Sequence, residues 1–259
     1  MIFWFRLEHR ISCSDQMFRH SNTLSWRKNL RYFSRLTKNC NTNFPAAHHL
    51  NTTNAPYDFD LSSTAVYENF LSVVEADSLV HDIKTKMKRR RYDKGHWDAV
   101  ITNFKEVEVA IEDELGELSQ STIDRTRAHL LENYLDGTAT FLPIHFIDYK
   151  KEALLKPHVD SVRFSGGLVA GISLESSAIM RLKPSAELGR DPEEGYVDLL
   201  LTPLSLYVLT GVCRYQYTHE LLPSGSIFEP DDGASIVVDR KERLSVIFRD
   251  AKDEQLSVE

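Results

Sequence analysis

Apolar and polar positions follow two different patterns along this chain, and the change falls near Gly137. Between Val66 and about Met87 the apolar positions Phe70, Val73, Val74, Leu79 and Ile83 recur at helical intervals. Ser72 and Glu75 form a Ser-x-x-Glu capping box that starts the main part of this predicted helix. Residues 88–97 then read as a basic, aromatic, extended or turn segment. From 105 to 118, six acids and one Lys surround Val107, Ala110, Ile111, Leu115 and Leu118, which predicts an acidic amphipathic helix. A second helix is predicted over 121–135, where Ser121 and Asp124 suit a cap. After Gly137 short apolar runs are separated by Gly, Pro and Asp. They predict strands at 141–148, 156–162, 168–174, 178–183, 196–201, 204–209, 213–219, 235–239 and 243–249. Helices followed by this many short strands imply an α+β, mainly β fold: a double-sheet barrel with the helices packed on one sheet.

Charge divides the chain differently. Residues 1–40 hold eight basic and two acidic side chains, a charge of +6, whereas the whole chain carries −7 and its remainder therefore −13. Within the basic part, Trp26, Leu30, Phe33 and Leu36 fall at helical spacing with Arg27, Lys28, Arg31 and Arg35 between them. This matches a mitochondrial transit peptide over 1–40, the alternative being a disordered N-terminus. Residues 41–64, rich in Asn, Thr, Ala and Pro, read as a flexible linker, 65–250 as the folded domain and 251–259 as a polar tail. With 42% hydrophobic and 27% charged residues the body can bury a good-sized core. No apolar run reaches the ~18 residues of a membrane span. Three widely spaced cysteines (Cys13, Cys40, Cys213) make neither a disulfide framework nor a thiolate metal site.

The candidate chemistry starts at Lys156-Pro157-His158-Val159-Asp160-Ser161. In a strand, His158 and Asp160 project from the same face. His219, after the strand-like run 214–218, offers a third ligand. Two imidazoles and one carboxylate make a facial triad that leaves three positions open on Fe(II), for a bidentate co-substrate and O₂. The last strand, 243–249, alternates independently of this. Leu244, Val246 and Phe248 lie on one face, and Arg243, Ser245, Ile247 and Arg249 on the other. On an exposed edge the two Arg would be solvated; inside a barrel they would need anions. A dicarboxylate such as 2-oxoglutarate supplies them, with Arg243 the candidate for its distal carboxylate and Arg249 nearer the C1 end, since a guanidinium pairs with a carboxylate through two parallel hydrogen bonds.

His158-x-Asp160, His219 and Arg243-x₅-Arg249, in this order and at these intervals, resemble the AlkB-like family of Fe(II)- and 2-oxoglutarate-dependent dioxygenases over about residues 65–250. The wording Lys-Pro-His-Val-Asp-Ser, the run Ser177–Leu182 and Arg-Tyr-x-x-x-His-Glu are most similar to its mitochondrial seventh AlkB-homologue group. The resemblance implies a double-stranded β-helix of jelly-roll, cupin-like type. It implies His158, Asp160 and His219 as catalytic iron ligands, Arg243 and Arg249 as 2-oxoglutarate contacts, and O₂ as oxidant. Tyr149 and Tyr207 are further candidates for bonding the co-substrate, or else packed core residues. The resemblance also implies a mitochondrial matrix protein associated with programmed necrosis and with fatty-acid and energy metabolism.

Family members that demethylate nucleobases carry extra β-hairpins before the His-x-Asp strand. Here Lys88–Leu142, read as one turn and two charged helices, leaves little room for such a lid, and an acidic body opposes phosphate binding. A protein or peptide substrate, or the enzyme itself, is therefore favoured over RNA, which the basic stripe Lys86–Lys94 would serve locally if it is not a solvated turn. Two other readings stay open: a non-catalytic jelly-roll interaction module, and a cupin-type isomerase or hydrolase with the same ligands. The first is opposed by the complete ligand set, and the second by the two Arg.

Overall fold

The computed structural model describes residues 45–95, 100–109, 115–137 and 139–252. The expected transit peptide, most of the tail, and residues 110–114 within the expected acidic helix lie outside the described residues. In chain order the strands are β1 (Leu50–Asn51), β2 (Thr64–Tyr67), β3 (Ile101–Val109), β4 (Ile144–His158), β5 (Ser165–Leu174), β6 (Ala178–Pro184), β7 (Val197–Leu201), β8 (Leu206–Leu209), β9 (Tyr217–Leu221), β10 (Ser226–Phe228), β11 (Ile236–Val238) and β12 (Arg243–Ala251). The helices are α1 (Val73–Met87), α2 (Glu117–Tyr134) and the short α3 (Gly211–Tyr215).

Ten strands form one antiparallel sheet in the order β1-β7-β6-β9-β4-β12-β5-β8-β2, with β3 added beside β4. The sheet curls on itself, so each long strand has an inner and an outer face. Strand alternation divides the core accordingly. Leu244, Val246 and Phe248 of β12 join Leu79 and Ile83 of α1 and Ile123 and Leu130 of α2 in the outer cluster. Ile247, Tyr149 and Tyr207 belong to the inner one. A hairpin of β10 and β11 covers the outside of β6 and β7, where Phe228 and Val238 pack on Ile179 and Leu200.

Helix α1 starts where the capping box requires. Ser72 Oγ accepts from the Glu75 N–H at 3.3 Å, and Glu75 Oε2 accepts from the Ser72 N–H at 2.8 Å. The stretch just before it, expected to be helical from Val66, instead supplies β2, which pairs with β8.

Four other expectations are corrected. Residues 45–64 are not a linker: Leu50 and Asn51 pair with Leu199 and Asp198, and both are buried. The acidic helix expected over 105–118 gives way to β3, paired with β4 from Ile101 to Val109. Its β-branched Ile101, Thr102, Val107 and Val109 favour a strand. Its acids Glu106 and Glu108 lie against the His145 imidazole across the ladder, at 2.5 Å from Nδ1 and 3.5 Å from Nε2. The interval from Lys88 to Leu142 therefore holds a strand beside β4 in place of the first expected helix, while the second, expected over 121–135, is α2. The two strands expected at 141–148 and 156–162 are the single strand β4, whose Pro157 falls at a register shift between Leu155 and His158. The strand expected over 213–219 begins as α3 and becomes β9 only at Tyr217.

Candidate metal and co-substrate site

Three side chains meet where β4 ends beside β9. His158 and His219 are direct partners across this pair, with ring centroids 4.2 Å apart. Asp160 arrives from the turn after β4 rather than from the pleat of the strand itself, since β4 stops at His158. Its Oδ1 lies 3.3 Å from His158 Nε2 and 3.8 Å from His219 Nε2. One donor atom from each residue falls within 4.8 Å of the others.

The protonation states suit a cation. His158 Nδ1 donates to the Lys156 carbonyl at 2.9 Å, so Nε2, the ring nitrogen that faces Asp160, is the atom available to a metal. Burial, with His158 adding to it, pushes the His219 imidazole down to about 3 and keeps it neutral. Burial alone would raise the Asp160 carboxyl, but the His158 hydrogen bond and the Arg249 guanidinium hold it well below the usual carboxylate range. Neutral imidazoles and an ionised carboxylate are what a divalent transition-metal ion needs.

The turn that carries Asp160 is fixed by a residue the sequence did not single out. Arg214, on α3 and only 2% exposed, donates to the carbonyls of Asp160 (3.0 Å), Ser161 (3.3 Å), Ser165 (3.4 Å) and Gly166 (3.1 Å), and to Ser165 Oγ (2.8 Å). A lone Arg in an aromatic run looks like surface; only its packing distinguishes it.

From the triad the inner face of β12 runs into the barrel. Strand β12 lies between β4 and β5, so it is no exposed edge. Arg249 stands at the metal end, its Nε donating to Asp160 Oδ2 at 2.7 Å. Arg243 lies at the far end and is 1% exposed; its guanidinium sits 5.4 Å above the Tyr149 ring, and its Nε and Nη2 have no hydrogen-bond partner among the described residues. Leaving buried charged donors unpaired is costly, so an anion between Arg243 and the triad answers a need of the structure. Tyr149 pairs with Arg243 across the ladder, and Tyr207 faces Gly171. A Cβ on Gly171 would come within 2.5 Å of the Tyr207 ring. Burial raises both phenols, so each keeps its proton and can donate. The residue set thus fits a metal chelated by a 2-oxo acid whose second carboxylate points at Arg243.

Among known proteins the chain is 37% identical to the mitochondrial alpha-ketoglutarate-dependent dioxygenase alkB homolog 7 of Mus musculus over 184 residues, 71% of this chain and 76% of the relative. It is 34% identical to the Bos taurus protein of the same name over 187 residues, covering 72% and 78%. The chain belongs to the AlkB homolog 7 family. As a member it is a 2-oxoglutarate-dependent dioxygenase that uses Fe(II), 2-oxoglutarate and O₂. No family model matches the chain. Two solved structures share its fold. A Pseudomonas putida prolyl-4-hydroxylase aligns at TM-score 0.50 and 14% identity, over 74% of this chain and 93% of that one. A Trichoplax adhaerens prolyl hydroxylase in complex with a hypoxia inducible factor peptide fragment aligns at 0.50 and 12%, over 92% and 98%. This likeness makes the fold the double-stranded β-helix of 2-oxoglutarate oxygenases. No described helix is long and apolar enough to cross a membrane.

Proposed function

We propose that this dioxygenase acts in the mitochondrial matrix, couples 2-oxoglutarate decarboxylation to oxidation of a protein or peptide substrate, and holds its iron with His158, Asp160 and His219. The observation that carries the assignment of roles is the buried, unpartnered Arg243 at one end of a face whose other end is Arg249 paired with Asp160. Bound Fe(II) supplies the redox chemistry in which 2-oxoglutarate and O₂ give succinate and CO₂ and a substrate C–H bond is oxidised. The chain's residues bind, orient and exclude water. Arg243 takes the distal carboxylate, Arg249 holds Asp160 in place and faces the C1 end, and the Tyr149 and Tyr207 hydroxyls donate to the co-substrate. Arg214 is a positioning residue that fixes the Asp160 turn.

A protein or peptide substrate is supported by the surface immediately beyond Asp160. Val162 and Phe164 are exposed apolar side chains there, with the Arg163 guanidinium 5.4 Å over the Phe164 ring, a surface suited to contact with side chains. The mitochondrial names of the relatives and the basic N-terminal 40 residues support the mitochondrial address. Roles in programmed necrosis and in fatty-acid metabolism rest on the family resemblance alone.

RNA is the second reading, favoured by the exposed run Lys88–Arg91 and by β3 beside the metal-bearing strand. Succinate formation by the purified protein with Fe(II), ascorbate and 2-oxoglutarate, absent in His158→Ala, tests the site. Mass spectrometry of mitochondrial protein and RNA after treatment tests the substrate. Modified protein with unchanged RNA is expected, and a change confined to methylated RNA would reverse the preference.

A further inference from the structure

Arg240 stands three residues before Arg243, in the turn that enters β12, and is likewise only 1% exposed. Its Nη2 donates to the carbonyls of Ala153 and Lys151 on β4, while its Nε and Nη1 have no hydrogen-bond partner among the described residues. Ala153 lies four residues along β4 from Tyr149, the residue that Arg243 opposes across the ladder. Both fully buried guanidiniums thus lie against β4, Arg243 over the Tyr149 ring and Arg240 at the Lys151 and Ala153 carbonyls. Among the described residues neither has a carboxylate partner, and four of their nitrogens are unsatisfied.

Backbone carbonyls satisfy part of Arg240 but do not neutralise it. Like charges held together in a dry interior are destabilising without an anion. Burial, and after it the neighbouring Arg243, both disfavour the charged form of Arg240. Burial pushes the Tyr149 phenol up, and the Arg243, Arg249 and Arg240 charges each work against that rise.

We infer that Arg240 is a second cation for the distal carboxylate, so that the closed end of the co-substrate pocket is a paired-guanidinium site selective for dicarboxylic over monocarboxylic 2-oxo acids. The inference rests on the assignment of Arg243 proposed above. A single Arg can offer a carboxylate two parallel bonds; a second guanidinium occupies the carboxylate's remaining lone pairs and makes the ligand's second charge a condition of tight binding.

The test is calorimetric titration of the Mn(II)-substituted protein, so that binding is read without turnover. The ligands are 2-oxoglutarate and 2-oxopentanoate, which keeps the keto-acid end and chain length but lacks the distal carboxylate. Relative to the unaltered protein, Arg240→Gln is expected to reduce the preference for 2-oxoglutarate about tenfold, the scale of one charge-assisted bond, with 2-oxopentanoate affinity unchanged. Arg240→Lys, which keeps the charge and loses the fork, is expected to fall between. An unchanged preference in a folded Arg240→Gln protein overturns the inference and leaves Arg240 a brace for β4. If Arg240→Gln does not fold, Arg240→Lys decides: a reduced preference supports the inference and an unaltered one overturns it. Arg243→Gln separates the two levels. If it abolishes the preference while Arg240→Gln does not, only the role of Arg240 fails. If Arg243→Gln also leaves the preference intact, the co-substrate assignment itself fails.

Discussion

Single residues show how closely this site is built around what it holds. Gly171 is the sharpest case, because its missing Cβ is the space that the Tyr207 ring occupies, with Cε1 2.5 Å from where that atom would stand. Gly171→Ala must therefore move the ring or the strand. Overpacking of this kind costs ~1–3 kcal/mol, and in a domain of this size each kcal/mol lowers the thermal midpoint by roughly 2–4 °C. Calorimetry of the variant checks it, and an unshifted midpoint would mean that β8 yields freely. Arg214 gives a second expectation. Arg214→Lys keeps a charge but not the fork that gathers the Asp160, Ser161, Ser165 and Gly166 carbonyls. Loss of such outer support weakens metal binding ~10–100-fold, which a Mn(II) titration followed by electron paramagnetic resonance would read. Full affinity in a folded variant would make the clamp merely structural. The contrast between residue types is instructive. His158, Asp160, His219, Arg243 and Arg249 were visible in the sequence because spacing and alternation tie each to another. Arg214, Arg240 and Gly171 were invisible because their meaning lies in burial and in a neighbour distant along the chain.

Elements were legible where one physical signal dominated. The outer face of β12 and the cap of α1 are of this kind, and both are where alternation and capping chemistry put them. Strand β3 was not, since Val107 opens an apolar series at helical spacing that runs on to Leu118 even though Glu106 and Glu108 alternate with Val107 and Val109, and pairing with β4 decides. Strand β4 was divided in two because Lys151 and Glu152 are exposed in its middle, which in sequence resembles a loop. The cap of α1 also links two helices: Glu75 accepts from Arg125 Nε at 3.1 Å and Nη2 at 2.9 Å, while Arg125 donates to the Phe70 carbonyl at 3.2 Å. Ser72→Ala, which removes the cap hydroxyl alone, should cost ~1 kcal/mol. Glu75→Ala should cost more, because it also unpairs Arg125 from α1. Urea titrations should show both midpoints falling in that order at unchanged slope. Equal shifts would mean that the Arg125 contact contributes nothing measurable.

For the molecule as a whole, the sequence separated a basic N-terminal segment from an acidic body but set the start of the folded part too late. Residues 45–64 close one edge of the sheet through β1 and bury His49, Leu50 and Asn51. His49 carries a consequence for the stability of the entire fold. Burial first, then the charge that His48 would carry, bring its imidazole down from 6.5 to about 4, against a smaller pull upward from Glu68. Its Nδ1 is buried without a hydrogen-bond partner among the described residues. The neutral ring is therefore the form the fold accepts. Above pH ~6.5 the imidazole is neutral whether folded or unfolded and contributes no pH dependence. As the pH falls below that, the unfolded chain takes up a proton that the folded chain refuses, so stability declines by up to ~1.4 kcal/mol per unit. The decline from this residue levels off below about pH 4, where the folded protein is protonated too. His129 and His219, also lowered by burial, add to the same acid limb, so the variant rather than the raw curve isolates His49. His49→Gln is expected to lose less stability than the unaltered protein between pH 6.5 and 4.5, measured as the difference in urea-unfolding free energy at the two pH values. Parallel losses in the two proteins would show that His49 protonates as easily in the fold as in water, and that the edge formed by 45–64 opens before the barrel does.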